Sequence, residues 1–148
     1  MLAEFLVKAK MNTYAKEGAR SKRAADGSRE LLYKEKNLAY KDKYFGADPF
    51  CGEEVVLKDG VGIWNMNYYG KTLSKPVPAE EIYKFLREAL RKVDPSAPFR
   101  GPVRFEKKDF LYTAEVKGDI SFFSGVEKIY HKKKLIYISY YHGGYVNK

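Results

Sequence analysis

Cysteine is almost missing: the 148-residue chain carries one, Cys51. One thiol makes no intramolecular disulfide and no cysteine-based zinc site. Histidine is nearly as scarce. His131 sits in a Lys-rich turn and His142 precedes a glycine pair, with no carboxylate cluster beside either. No metal site is expected on that basis. The chain also lacks a phosphate-binding glycine signature and a Gly-x-Ser-x-Gly elbow, so no cofactor is expected. The opening run MLAEFLVKAK is too short and too charged for a secretion signal or a membrane span. With the lone thiol, this points to a cytoplasmic protein without a membrane partner.

What is present is an apolar and aromatic chain with a basic surface. Hydrophobic residues make up 45%, enough for a core, and 13 residues are tyrosine. Tyr suits strands, and its polar tip suits ligand or partner surfaces. The net charge of +9 attracts polyanions, so nucleic acid is one partner to consider. The lysines are spread along the chain, which also fits a merely well-solvated surface.

Periodicity orders the chain. Leu2, Phe5, Leu6 and Ala9 recur at helical spacing, predicting a helix over 2–10. Residues 12–29 lack a period and read as a long mobile basic loop, with Arg20, Lys22 and Arg23 as anion-binding candidates. Lys16 and Arg29 add to its charge, against Glu17 and Asp26. Strands are expected from Leu31, over Leu38–Tyr44, over Glu53–Lys58 and over Val61–Tyr69, with Asp59-Gly60 as a hairpin turn. A linker with two prolines, GKTLSKPVPAE, leads to a second helix over 79–93. Four more strands follow: Val103–Glu106, Phe110–Val116, Gly125–His131 and Leu135–Tyr141.

Helix plus four strands thus occurs twice, and the second round echoes the first. Tyr40 and Tyr112 stand 72 positions apart, as do Tyr33/Phe105, Leu38/Phe110 and Gly46/Gly118. The spacing is 73 for Phe50/Phe123, Gly52/Gly125, Glu54/Glu127 and Val56/Ile129. A first hairpin one residue longer would return it to 72 for Trp64/Ile136, Met66/Ile138, Tyr68/Tyr140 and Tyr69/Tyr141. The expected fold is therefore α+β: two tandem helix-plus-four-strand repeats related by a pseudo-twofold axis, with both helices on one face of an antiparallel sheet. The expected organisation is one domain over 1–148, made of repeats at about 1–72 and 73–148. In this register Trp64, Met66 and Tyr68, with Ile136, Ile138 and Tyr140, face the helices. Asn65, Asn67 and Tyr69, with Tyr137, Ser139 and Tyr141, face away.

The chemistry-bearing candidates are acidic and aromatic. Asp42 alternates with Leu38, Tyr40 and Tyr44 on an inward face, where a carboxylate needs a partner. Tyr hydroxyls or an Arg would satisfy it; alternatively it is a pocket acid. Glu54 and its mate Glu127 share a face with Val56 and Ile129, and each would begin its strand at the rim and pair with a lysine or meet the other across a cleft. Trp64, Tyr68, Tyr69 and Tyr141 are candidate aromatic walls. Tyr68 and Tyr69 point to opposite faces, so they do not line one pocket together. Cys51 has no base partner evident in sequence and reads as idle.

The runs NTYA, GSRELLY, YKDKYFG, FCGEE and GIWNMNYYG together resemble an uncharacterised prokaryotic domain family. That family stands alone or C-terminal to XRE-type helix-turn-helix DNA-binding segments. The resemblance covers almost the whole chain and singles out Asn12, Thr13, Tyr14, Asp42, Gly52, Glu53, Glu54, Trp64, Asn67, Tyr68 and Gly70. The loop before GSRE departs by being richer in Lys and Arg, and no helix-turn-helix segment precedes the domain here. The family implies no settled activity, but its fusion to DNA-binding segments implies effector binding. The expected architecture is similar to GyrI-like effector-binding domains, although the strand order differs.

The expected function is small-molecule binding in a cleft between the repeats. A nucleic-acid-binding accessory protein using the basic loop is the second reading. An enzyme with an acid/base pair at Asp42 and Glu54 is the third, because no nucleophile accompanies them. A homodimer through the polar-aromatic sheet face is a further expectation.

Overall fold

The computed structural model describes residues 1–16, 18–73 and 76–147. Glu17 of the basic loop and Ser74 and Lys75 of the linker lie outside them. One antiparallel sheet of nine strands dominates, in the order β1-β2-β3-β4-β5-β9-β8-β7-β6. The first helix, α1 (Leu2–Met11), precedes β1 (Lys22–Arg23), β2 (Arg29–Glu35), β3 (Leu38–Gly46), β4 (Phe50–Lys58) and β5 (Val61–Thr72). The second, α2 (Ala79–Leu90), precedes β6 (Arg104–Lys107), β7 (Phe110–Asp119), β8 (Phe122–His131) and β9 (Lys134–Tyr145). The ends of the sheet are its shortest strands, β1 and β6, which limits the exposed edge. Among the described residues, no helix is long and apolar enough to cross a membrane.

Both helices press on the same face of the sheet. Phe5, Leu6 and Ala9 of α1 bury against Tyr40, Val56, Trp64 and Met66. Phe85, Leu86 and Ala89 of α2 bury against Tyr112, Ile129 and Tyr137. The two helices thus use one run, Phe-Leu-x-x-Ala, for the same contact. Tyr14 and Phe50 pack against both clusters and join them. The second helix ends at Leu90 rather than 93, although Val93 stays buried.

The face assignment of β9 needs correction. Tyr137, Ser139 and Tyr141 are buried, whereas Tyr140 is 58% exposed. The cause is a β-bulge. Ile129 pairs with Tyr137 but Tyr130 pairs with Leu135, leaving Ile136 unpaired. An extra residue reverses every side chain beyond it. The first half carries the same bulge: Val56 pairs with Trp64 and Leu57 with Gly62, leaving Ile63 unpaired. The two hairpins are equal in length, and the 73-residue spacing runs on through Trp64/Tyr137 and Tyr68/Tyr141. Tyr68 and Tyr141 are themselves cross-strand partners where β5 meets β9.

The basic loop also differs from expectation. Thr13 and Ala15 are buried, with Thr13 Oγ1 donating to the Ala9 carbonyl at 2.7 Å. Further on, Lys22 pairs with Glu30 and Arg23 with Arg29 in the ladder. At one end Ala15 lies in the second-half core cluster and Tyr14 packs against both clusters; at the other, Lys22 and Arg23 join the sheet edge.

Candidate functional site

The site begins with two glycines. Tyr68 lies across β4 at Gly52, where a Cβ would stand 2.3 Å from the Tyr68 hydroxyl. Tyr141 lies across β8 at Gly125, where a Cβ would stand 2.2 Å from the ring. Any larger residue would push the ring away. This explains the repeated sentence FCGEE and FSGVE. The glycine clears a path for a tyrosine, and the second residue after it buries a glutamate.

Over Gly52 the Tyr68 hydroxyl donates to Asp42 Oδ1 at 2.5 Å. Asp42 is 3% exposed and stands beside Glu54 in the β3–β4 ladder. Burial, reinforced by the Glu54 charge, pushes the Asp42 carboxyl up to about 7; the Tyr68 hydrogen bond, Arg100 and Lys10 oppose that rise. Glu54 is bound by the Lys10 ammonium, and both side chains are fully buried. Burial pulls the Lys10 ammonium below its ordinary value, against the pull of Glu54.

The second half answers with a different cation. Arg100 Nε donates to Glu127 Oε1 at 2.6 Å, and both side chains are buried. The Arg100 guanidinium lies 5.6 Å from the Tyr14 ring centroid and 5.3 Å from that of Tyr68. Around this network several buried polar atoms have no hydrogen-bond partner among the described residues: the Tyr14, Tyr40 and Tyr137 hydroxyls, Ser139 Oγ and one oxygen of each glutamate.

A cleft of about 850 Å³ opens above part of this network. Such a volume lies within the range of small-molecule sites. Asp42, Tyr68, Tyr14 and Arg100 form its polar floor. Leu31, Tyr44 and Phe50 supply apolar wall. Asp48 holds one side in place: it accepts from the Thr72 backbone N–H and the Tyr83 hydroxyl, each at 2.9 Å. Lys16, Arg29, Lys84, Arg87 and Arg91 bring positive charge to the lining.

Of the residues singled out in sequence, Asp42 and Tyr68 line the cleft. Glu54 and Glu127 sit behind it as ion-pair partners. Trp64 is fully buried, stacked on Phe123 at 5.8 Å, with Nε1 donating to the Ile120 carbonyl. Tyr141 is buried beside Tyr68, and Tyr69 is half exposed on the opposite sheet face, opposite Tyr140. Arg20, Lys22 and Arg23 are exposed and do not line the cleft, whereas Lys16 and Arg29 of the same segment do. Cys51 is a partly exposed free thiol. Among the described residues, no cluster of three metal-ligating side chains exists.

Several lining residues escaped the sequence reading. Lys84, Arg87 and Arg91 recur at helical spacing beside the apolar stripe of α2, so a basic stripe was readable there. Lys10 follows Leu6 by four on the buried stripe of α1, and a charge on an apolar stripe marks a buried partner. Arg100 offered no local signal, because its partner lies on β8.

The fold and this floor define a domain with a buried ionic layer under an open cleft. The chain belongs to the family described as Domain of unknown function (DUF5680), whose model matches residues 42–146. The match takes in Asp42, Gly52, Tyr68 and Arg100, while α1 with Lys10 and Tyr14 precedes it. No curated protein and no solved structure matches the chain.

Proposed function

We propose that this protein is a small-molecule-binding domain whose ligand occupies the cleft between α2, the residues Lys16 and Ala19, and the floor of Tyr14, Asp42, Tyr68 and Arg100. The domain consists of two related halves, about residues 1–72 and 73–148, and both contribute to the cleft. The β5–β9 register supports this relation. Trp64 pairs with Tyr145 and Thr72 with Tyr137, a reciprocal pattern centred on Tyr68 and Tyr141. An effector role in a cytoplasmic setting belongs to the same reading.

The observation that carries the proposal is Asp42. A carboxyl placed only for structure needs no neighbouring cavity, and a Tyr hydroxyl alone could hold it. Here it borders an open cleft and makes no ion pair with Arg100 on the same floor, and burial pushes its carboxyl up to about 7.

A thermal-shift panel tests it, with metabolites, nucleotides, and DNA and RNA oligomers at low and moderate salt. A ligand at 100 times its dissociation constant adds about 2.7 kcal/mol and moves the midpoint by several degrees. The expected result is a salt-resistant shift by a small molecule, lost in Asp42→Ala although that variant still folds. A shift by oligomers alone, erased by salt, would replace this reading with nucleic-acid binding.

A further inference from the structure

The floor and the mouth of the cleft carry different kinds of positive charge. On the floor, Arg100 makes one hydrogen bond among the described residues, from Nε to Glu127. Its two terminal nitrogens remain as donors. Asp42 shares the floor with Arg100 but forms no ion pair with it, and the buried Tyr14 hydroxyl beside them has no partner. At the mouth, Lys16 and Arg29 come from the first half and Lys84, Arg87 and Arg91 from α2. Glu88 is the one acid among the described lining residues at the mouth, and Lys107 engages it at 2.8 Å.

A guanidinium with a free edge binds oxyanions through paired N–H donors. A single carboxylate would need only that edge. The further cations above it suit a doubly charged head, and the cleft volume leaves room for an organic body against Leu31, Tyr44 and Phe50. Phosphate monoesters have that form: a dianion above about pH 6 on a carbon skeleton.

Asp42 decides how such an anion enters. The charged and titratable groups around it are Glu54 from β4, Tyr68 from β5, Tyr40 from β3 itself, Lys10 from α1, Tyr14 from the segment after α1 and Arg100 from the segment after α2. Ionised Asp42 would repel a phosphoryl group. Protonated, it becomes a donor, and the buried layer is then balanced, with Lys10 and Arg100 against Glu54 and Glu127.

We propose, resting on the ligand-binding reading above, that the ligand is an organic phosphate monoester whose phosphoryl oxygens take Arg100 and the Tyr14 hydroxyl, and that Asp42 takes up one proton from solvent as it binds. The sign of the pH dependence follows. Below about pH 7 Asp42 already holds the proton, which fits the free carboxyl's rise to about 7. Above that point each pH unit weakens binding about tenfold. Below about pH 6 the ligand loses its second charge. Affinity therefore peaks between these limits.

Calorimetric titration of the full chain with phenyl phosphate, in two buffers of different ionisation heat, reads affinity and proton uptake together. Phenyl sulfate and benzoate serve as singly charged comparators, and a single-stranded DNA oligomer as the polymer arm. The expected result is tightest binding by phenyl phosphate, with about one proton taken up at pH 8 and a tenfold loss between pH 7.5 and 8.5. Asp42→Asn, neutral at every pH, should take up no proton and lose the fall in affinity above pH 7, so that it binds phenyl phosphate more tightly than wild type at pH 8.5; circular dichroism confirms its fold. Lys84→Ala and Arg87→Ala, on an exposed helix face, should weaken phenyl phosphate binding and reduce its salt dependence. Binding without proton uptake, uptake that persists in Asp42→Asn, or a preference for benzoate or DNA overturns the proposal. If a neutral or cationic compound from the thermal panel fills the cleft and phenyl phosphate does not, this inference fails while the ligand-binding reading stands. If no small molecule protects the protein, both fail.

Discussion

On the first half of the sheet, Tyr68 crosses Gly52 and its hydroxyl ends on Asp42; on the second, Tyr141 crosses Gly125 and the position matching Asp42 is Ala114. The two positions hold the same place in the ladder, since Asp42 pairs with Glu54 and Ala114 pairs with Glu127. Both halves bury a glutamate under a cation, but Lys10 is sealed in the core whereas Arg100 reaches the cleft. The shared features, bulge, glycine and glutamate, keep a tyrosine-crossed sheet folded. The unshared ones, Asp42 and Arg100, converge on one opening. The candidate chemistry lies where the two sides of the sheet differ.

The largest effects should come from the two cations. Removing one partner of a buried ion pair leaves an uncompensated charge, costing about 3–5 kcal/mol. Lys10→Met and Arg100→Met should both lower the unfolding free energy, read by chemical denaturation, by such an amount. Where the variants still fold, Arg100→Met should also lose ligand, whereas Lys10→Met should retain it. Equal ligand loss in both would erase the distinction between a sealed and an open cation.

The two glycines come next. Gly52→Ala and Gly125→Ala each drive a methyl group into a tyrosine ring, and overpacking costs about 1–3 kcal/mol. Chemical denaturation should show similar losses for both. Only Gly52→Ala should alter the pH dependence of stability, because only Tyr68 is bonded to a carboxyl near its titration point.

The third effect, comparable in size to the glycine losses, is a pH trend at Asp42 itself. Its folded pKa, raised to about 7, lies above the usual carboxyl value of 3.8. Between these values the folded state holds a proton that the unfolded state has released, so stability falls as pH rises. Asp42→Asn removes that fall. Its melting temperature relative to wild type should therefore improve from pH 5 to pH 8, while Ala114→Asn shows no such trend.

Much of this was legible in the sequence because strands write their faces in alternation. Leu38, Tyr40, Asp42 and Tyr44 announced an inward carboxyl, and the matched Gly52/Gly125 and Glu54/Glu127 marked the sites that the tyrosines cross. The bulges were not legible. Ile63 and Ile136 look like ordinary strand residues, and only the ladder shows that they are unpaired, which is why Tyr137, Ser139 and Tyr141 were assigned to the wrong face. The loop charge misled in a similar way. Arg20, Lys22 and Arg23 are conspicuous in the chain, yet the cleft uses Lys16 and Arg29 from the same segment.

The sequence by itself determined the two helices, every strand except the two-residue β1, and the inward carboxyl, since each is a local pattern of polarity and spacing. The tertiary structure decided which charges meet. Lys10 finds Glu54 and Arg100 finds Glu127 because helix and loop are laid over a sheet whose central seam joins β5 to β9. Pairing across such distances depends on how elements pack, and no local period encodes it. The cleft exists for the same reason: it is the space left where α2 and the anchored basic segment meet over Asp42.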